Sequence, residues 1–290
     1  DWASEPRRTF REYAAYESLF ETLLPRSAPP GATSDERPWT LVQFEESFRL
    51  HADMAEFLRQ EVYSKDGLRY FSRLQGQIEP CRHEDDFISA VLCPECPLVV
   101  VVHDENRSQT RNPFEQELVA PLLECLAHPD HYGLDAVGGL GVVVPHRAQR
   151  ASLAAACPSL SLIDPVTGEV VGSAVDTVER FQGGERTVIL ISATESDRDY
   201  LLASGRFLLD PRRLTVALSR AKRKLILVAS RQVFSLFCPD EETYEYSLIW
   251  KNLLRRTCTR GLWRGERNGV AVEVWGNEPV TGTPPPPAEP

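Results

Sequence analysis

The sequence predicts an α/β fold in which helices cover both faces of a doubly wound parallel sheet. Apolar strand-like runs alternate with helical segments along most of the chain, which is typical of this fold class. The run Leu98–His103 is apolar at five consecutive positions, as expected for a parallel strand buried on both faces. Polar candidates such as His146 and Thr177 fall at or just beyond predicted strand ends, where α/β sheets bind ligands.

The first half of the chain is predicted to begin with a helix and a linker. Residues Arg11–Leu24 carry apolar side chains at helical spacing, and the Pro/Gly/Ser-rich run 25–38 follows them. Pro113 stands at the first helical position after Asn112, a typical helix start. The predicted elements are a strand at Thr40–Phe44, a helix at Glu46–Tyr63, a short helix at Asp85–Val91, a strand at Leu98–His103, a helix at Asn112–Leu126, a strand at Gly139–Val144 and a helix to about Ala156.

The second half continues the same alternation and ends in a proline-rich tail. The predicted elements are a strand near Ala174–Asp176, a helix near Val178–Phe181, a strand at Thr187–Ser192, a helix at Arg212–Arg220, a strand at Lys224–Ala229, a helix at Arg231–Phe237 and a helix at Tyr246–Cys258. Residues Val270–Trp275 are predicted as an edge strand. The tail Val280–Pro290 (VTGTPPPPAEP) is predicted to be disordered.

Composition and charge exclude several classes of protein. The chain has 290 residues, 42% hydrophobic and 26% charged, which is ordinary for a globular protein. No apolar run approaches the ~18 residues that a membrane helix needs, and no signal peptide is visible, so we expect a cytoplasmic protein without membrane contact. The net charge of −10 argues against a generally basic nucleic-acid coat, although a local groove can still be positive. Because the chain starts at Asp1, we expect a piece of a longer or processed protein.

The seven cysteines are irregularly spaced and odd in number, which argues against a disulfide framework and favours a reducing compartment. Cys93 and Cys96 form a C-x-x-C pair that could bind zinc together with Cys81 and His83. The Cys81-x-His83 spacing is not that of a usual zinc knuckle, and Cys96 runs directly into a predicted strand. We therefore favour ordinary thiols and no metal site, with a zinc module as the alternative.

The segment Val175–Ser230 contains two motifs that each stand beside a predicted strand. The first motif, DTVERFQGGE, carries Thr177, Gln182, Gly183 and Glu185. The second, DPRRLTVALSRAK, carries Arg213 and Arg220 and precedes the strand at Lys224–Ala229. Each residue alone could belong to a plain turn or a solvated helix face.

Taken together and in this order, the motifs resemble the last two motifs of superfamily 1 helicases. The similar branch includes the nonsense-mediated-decay RNA helicase and the Okazaki-fragment helicase-nuclease. Two further segments support the resemblance: SFRLH around Arg49 and PHRAQ from Pro145 to Gln149. The resemblance covers roughly residues 40–275 and implies a RecA-like, P-loop NTPase-type second helicase lobe.

The resemblance implies which residues face the nucleotide. Arg220 would be the arginine finger and Arg49 a second contact to the γ-phosphate, because a guanidinium binds phosphate bidentately and stays charged. Glu185 would meet the ribose, and Gln182 and Gly183 would sense the nucleotide. The last member of this predicted site, Arg213, would brace its motif through a carboxylate, either Asp176 or Glu179.

The resemblance also implies a nucleic-acid track. Pro145 and His146 occupy a loop that touches the nucleic-acid backbone in the family, and Thr177 and Val178 would approach the same backbone. His146 stands where the family often has tyrosine, so stacking on a base would be weaker. The expected partner is single-stranded DNA or RNA, since backbone contacts serve both.

The sequence contains no G-x-x-x-x-G-K-[ST] phosphate loop and no acidic motif of the kind that holds Mg²⁺. The expected cofactors, ATP and Mg²⁺, would therefore be bound mainly by an N-terminal RecA-like lobe, in cis or in trans. We predict three parts: residues 1–39 from the end of a first lobe, a RecA-like domain at 40–277 and a tail at 278–290. The alternative is a non-catalytic scaffold, derived from such a lobe, that binds nucleic acid or protein.

Overall fold

The computed structural model describes residues 44–181, 184–238 and 240–279. The predicted helix Arg11–Leu24, the linker 25–38 and the tail Val280–Pro290 lie outside the described residues. So does the predicted strand Thr40–Phe44, except for its last residue. Within the described part, the residues from Glu45 onward form one compact unit.

A seven-stranded sheet with strand order β5-β2-β6-β7-β1-β9-β8 forms the centre of the fold. The five strands from β5 to β1 are parallel to one another, and β9 is antiparallel to both β1 and β8. This confirms the predicted α/β class. The strands of the sheet are β1 (Leu98–His103), β2 (Leu140–Val144), β5 (Val175–Thr177), β6 (Arg186–Ser192), β7 (Ala221–Ser230), β8 (Arg260–Arg267) and β9 (Val270–Gly276), and a separate hairpin pairs β3 (Ser161–Ile163) with β4 (Val170–Ser173).

Two hydrophobic cores, one on each face of the sheet, explain the continuous apolar runs. In β1 all six residues are buried. Its side chains alternate between the faces, so that Val100 and Val102 join one core while Val99 and Val101 join the other. A strand that must satisfy two cores cannot show the polar–apolar alternation of a half-exposed strand.

Helices cover both faces, and most begin at a capping side chain. Asn112 Oδ1 accepts a hydrogen bond from Glu115 N (2.9 Å), as expected from the Asn-Pro start. The helices are α1 (Ala52–Glu61), α2 (Asp86–Val91), α3 (Pro113–Ala127), α4 (Arg147–Ala156), α5 (Arg198–Leu208), α6 (Pro211–Leu218), α7 (Arg231–Ser235) and α8 (Glu241–Asn252). Single 3₁₀ turns cover Tyr63–Asp66, Pro158–Leu160 and Val178–Phe181, and a π turn, Leu253–Thr257, follows α8.

Several predicted elements have different limits. The helix predicted from Glu46 begins only at Ala52, because residues 46 and 51 instead form bridges to Phe71 and Leu74. The helix predicted near Val178–Phe181 is one 3₁₀ turn. Helix α5 and the β3–β4 hairpin were not predicted. Helix α5 nevertheless has an amphipathic pattern and begins after the capping residue Asp197, which were available sequence signals, whereas β3 and β4 are only three and four residues long.

The prediction that Val270–Trp275 is an edge strand is wrong. This segment lies in β9, which pairs with β1 on one side and β8 on the other. Strand β8 forms the edge and reaches β9 through Asn268-Gly269. Both turn residues have positive φ (48° and 74°), as the tight turns that favour hairpins require. This Asn-Gly pair was the available sequence signal for the missed strand.

Candidate functional site

Charged side chains from three distant segments meet at the amino ends of β6 and β7. Arg49 lies before α1, Glu185 directly precedes β6, and Arg220 directly precedes β7. The two strands are parallel neighbours, and Arg186 N donates a hydrogen bond to Arg220 O (2.9 Å). The sheet register therefore places Glu185 and Arg220 beside each other.

Glu185 connects the segments through two ion pairs. Arg49 Nε lies 2.7 Å from Glu185 Oε2, across 136 residues of sequence, and Lys222 Nζ lies 2.6 Å from Glu185 Oε1. Arg49 Nη1 also donates to Ser219 O (3.4 Å). We call Arg49, Glu185, Arg220 and Lys222 the cation cluster. Lys222 was not predicted, although it stands two residues after Arg220 at the start of β7, where alternate side chains share one face.

Arg220 is partly buried, and its Nε is enclosed without a hydrogen-bond partner among the described residues. Burial lowers the pKa of its guanidinium, and the nearby Arg49 lowers it further. A guanidinium nevertheless stays charged at neutral pH. A buried donor without a partner costs free energy that an added acceptor recovers, and an anionic oxygen is the strongest such acceptor. Arg220 is thus suited to bind an anion.

The cation cluster carries three positive charges against one carboxylate in a chain of net charge −10. The hydrogen bond from Lys222 and the one from Arg49 hold the pKa of Glu185 below its ordinary value. The side chains of Arg49 and Glu185 are 38% and 42% exposed, so that a ligand can reach them. The local excess of positive charge favours an anionic ligand such as a phosphate.

Two predicted nucleotide contacts, Gln182 and Gly183, lie outside the described residues. Arg213 is described, and it does not contact the cation cluster. Its guanidinium pairs with Glu179 and lies 3.7 Å from the centre of the Phe207 ring. Two carboxylates, Asp176 and Glu179, were considered as partners of Arg213, and Glu179 is the one that pairs with it. Asp176 instead pairs with Arg150 (3.1 Å) and Arg180 (3.7 Å).

The residues predicted to contact nucleic acid lie at the other end of the parallel strands, at or just after the carboxyl ends of β2 and β5. His146 is anchored there: its Nε2 lies 2.8 Å from Glu195 Oε1, and its ring lies parallel to that of Phe207. Glu195 is fully buried and was not predicted. Thr177 is half-buried, whereas the Val178 side chain is buried and lines an apolar cleft with Pro145. Val178 can therefore offer a ligand its backbone but little of its side chain.

Next to His146 lies a buried group that we call the polar network: His103, Asn112, Glu115, Gln149, Ser192 and Thr194. All six residues are 0% exposed. Gln149 Oε1 accepts from Asn112 N (2.9 Å), and its Nε2 donates to Ser192 Oγ (3.2 Å). Although Gln149 belongs to the motif similar to a nucleic-acid loop, it joins α4 to α3 and β6 inside the protein. Of these residues, the sequence pointed to Gln149 alone as part of a functional motif.

The four residues considered for a zinc module do not converge. Lys224 Nζ donates to the carbonyl oxygens of Cys93 (2.8 Å) and Cys96 (2.7 Å) at the start of β1. Among the described residues, the ligand atoms of Cys81 and His83 cluster with that of His131 instead. Also among the described residues, no helix has the length and apolarity needed to span a bilayer.

Comparison with known proteins gives the family. A family model described as an AAA domain matches residues 15–232. The putative helicase MOV-10 of Gallus gallus is 36% identical over 118 residues, covering 36% of this chain and 12% of that protein. The DNA replication ATP-dependent helicase/nuclease DNA2 of Homo sapiens is 32% identical over 104 residues (36% and 9%).

A third relative extends the match along the chain. The DNA replication ATP-dependent helicase/nuclease JHS1 of Arabidopsis thaliana is 30% identical over 156 residues, covering 51% of this chain and 11% of that protein. The chain thus spans about a tenth of the length of these curated relatives. The family model covers well over half of the chain, which therefore belongs to the AAA domain family of the superfamily 1 helicases.

Proposed function

We propose that this chain is the C-terminal motor lobe of an ATP-dependent helicase and that Arg220 is its arginine finger. The observation that supports this most strongly is the cation cluster. Arg49, Glu185 and Arg220 come from three motifs that resemble nucleotide-facing motifs, and the fold brings them together at the amino ends of β6 and β7. A scaffold without a motor has no chemical need for this arrangement.

The proposed roles follow from charge and exposure. Arg220 has an enclosed Nε without an acceptor, and it would neutralise charge that develops on a γ-phosphoryl group. Arg49 would give a second contact to the same group. Glu185 would accept hydrogen bonds from ribose hydroxyls, because each of its oxygens has a second lone pair besides the one that faces Arg49 or Lys222.

ATP and its Mg²⁺ fit this site as ligands shared with a second lobe. Bound ATP would supply the phosphoryl group, while this chain supplies cations and the cluster carboxylate. Because the sequence has no phosphate loop, an N-terminal RecA-like lobe, in cis or in trans, would hold most of the nucleotide and the metal. This chain alone would then neither bind ATP tightly nor hydrolyse it.

Single-stranded DNA or RNA would bind along the carboxyl ends of the parallel strands. Pro145 and Thr177 lie there beside the anchored ring of His146, and Val178 would contribute backbone groups. Two of the relatives described above are named as DNA replication helicase/nucleases, which supports a nucleic-acid substrate. The nucleotide would lie at the amino ends of the parallel strands and the nucleic acid at their carboxyl ends. Relative movement of the two lobes would then couple ATP hydrolysis to movement along the nucleic acid.

The test is an ATPase titration of this chain with and without an N-terminal RecA-like lobe, with single-stranded DNA or RNA as stimulator. We expect activity only in the mixture. Arg220→Ala should lower it by about 10³-fold or more, the range for loss of an arginine finger. Arg212→Ala is the matched control: Arg212 lies on the adjacent helix α6, its side chain is 76% exposed, and it pairs with Asp210.

Two results would contradict the proposal. Activity of the mixture that survives Arg220→Ala would remove the finger assignment. Absence of activity in every combination, with nucleic-acid binding retained, would support the non-catalytic scaffold instead.

A further inference from the structure

A second cluster of chemically active side chains lies apart from the cation cluster, around the end of helix α3. Cys81 and His83 belong to the irregular segment before α2. Cys125 lies in the last turn of α3, and His131 lies in the loop that follows. The sequence separations are 50 residues for Cys81 and His131 and 42 residues for His83 and Cys125, so the fold alone creates this cluster.

The ligand atoms of Cys81, His83 and His131 form one group, and Cys125 Sγ lies beside His83 at its border. Cys81 Sγ lies 3.2 Å from His131 Nδ1, and Cys125 Sγ lies 3.4 Å from His83 Nδ1. The ligand atoms of Cys81, His83 and His131 all lie within 4.8 Å of one another. Zn–S bonds of about 2.3 Å and Zn–N bonds of about 2.0–2.1 Å in a tetrahedron place ligand atoms about 3.3–3.8 Å apart. The two sulfur–nitrogen distances are already close to this range.

His83 also has the outer contact that zinc-binding histidines usually make. Its Nε2 lies 3.1 Å from the hydroxyl of Tyr132. When Nε2 donates its proton to this hydroxyl, the lone pair of Nδ1 is directed toward Cys125 Sγ. A hydrogen bond from the second ring nitrogen is the standard way in which proteins orient a metal-binding imidazole.

We propose that Cys81, His83, Cys125 and His131 bind one structural Zn²⁺ ion. Two cysteines and two histidines make up a common ligand set for structural zinc, and two thiolates neutralise the charge of the ion. All four ligands would come from the protein, which leaves no open coordination position for catalysis. The ion would fasten the irregular segment before α2 to the end of α3.

This site differs from the zinc module considered from the sequence. That set shared Cys81 and His83 but completed them with Cys93 and Cys96, which instead lie at Lys224. The pair Cys93-x-x-Cys96 has the better-known spacing, yet the fold places His131 in the cluster and Cys125 beside His83. Cys93 and Cys96 are therefore natural control residues.

The first test measures metal in the intact chain, purified without added zinc. Elemental analysis should find one zinc per chain. The double variant C81S/H131A should lose it, whereas the double variant C93S/C96S should keep it. Loss of zinc only in C93S/C96S, or no bound metal in the unmodified chain, would overturn the proposal.

A cobalt titration uses the metal-free native chain. Its result therefore does not depend on whether a variant of a ligand residue still folds. We expect saturation at one Co²⁺ per chain with the visible absorption of a tetrahedral thiolate site. Tyr132→Phe, which removes only the outer contact to His83, should weaken Co²⁺ binding by about 10–100-fold. A titration without the tetrahedral spectrum would show that the four side chains form only thiol–imidazole hydrogen bonds. Neither readout depends on ATP hydrolysis, so this proposal stands or fails separately from the proposed function.

Discussion

The cation cluster and the polar network lie at opposite ends of the same parallel strands, and they differ in solvent exposure. In the network, Glu115 is 0% exposed and accepts hydrogen bonds from two different elements. In the cluster, the side chains of Arg49 and Glu185 are about 40% exposed. The network therefore stabilises the fold, while the cluster is available to a ligand.

Solvent exposure distinguishes residues that the helicase resemblance had placed together in functional motifs. Gln149 and Arg220 both belong to helicase-like motifs, yet Gln149 is fully buried and Arg220 is only partly buried. His146 lies between these cases, because a buried carboxylate holds its ring while part of the ring stays exposed. Position in a motif indicates a role, but burial decides whether that role is structural or ligand-binding.

The largest effect on stability is expected at the polar network. Glu115→Ala would leave the His103 ring and the Thr194 amide without their acceptor in a site that excludes water. Each buried donor left without an acceptor typically costs about 1–3 kcal/mol. Urea unfolding should show this loss in the free energy of unfolding. Glu117→Ala, an exposed change on the same helix, is the control and should cost about 0.5 kcal/mol or less. Equal losses in both variants would contradict the assigned role of the network.

A smaller stability effect, with a larger functional one, is expected at Arg49. Its ion pair with Glu185 is half exposed, so Arg49→Ala should lower the free energy of unfolding by about 1 kcal/mol or less. Loss of a charged hydrogen bond to phosphate should raise the KM for ATP of the two-lobe assembly by about tenfold to a hundredfold. Arg73→Ala removes another surface pair, to Glu46, and is the control. An unchanged KM in Arg49→Ala would remove Arg49 from the proposed site.

The smallest effect is a pH dependence at Glu185. The hydrogen bonds from Lys222 and Arg49 lower the pKa of Glu185 in the folded chain relative to the unfolded chain. The resulting stabilisation is present above the unfolded pKa of about 4.3 and is lost as the pH falls through the folded pKa. Chemical unfolding at several pH values should therefore show a difference between the native chain and Glu185→Gln that is greatest above about pH 4.3 and shrinks in acid. A difference that grows in acid would contradict the ion pairs seen here.

Much of the fold could be predicted from the sequence because the signals are local. The apolar runs of β1 and β6 and the Asn-Pro start of α3 depend on residues within one or two turns of chain. Strand β8 was missed because its polar, glycine-interrupted pattern is weak until its partner β9 is known. The interior position of β9 depends on β8 pairing with it, which no local pattern reports.

The candidate site could be predicted in part. Motif resemblance pointed to Arg49, Glu185 and Arg220, and the structure brings them together. The motif resemblance did not identify Lys222, because a lysine at the start of a strand is usually a solvated residue. The resemblance also could not show that Arg213 pairs with Glu179 rather than with Asp176.

The sequence by itself determined the alternation of strands and helices, the apolar runs that two cores require, and the residue types suited to phosphate. Those properties depend on covalent spacing and on the chemistry of single side chains. Only the tertiary structure decided which charges meet, which motif residue is buried, and that Cys81 lies beside His131. Such contacts depend on strand order and register, which place residues side by side that are far apart along the chain.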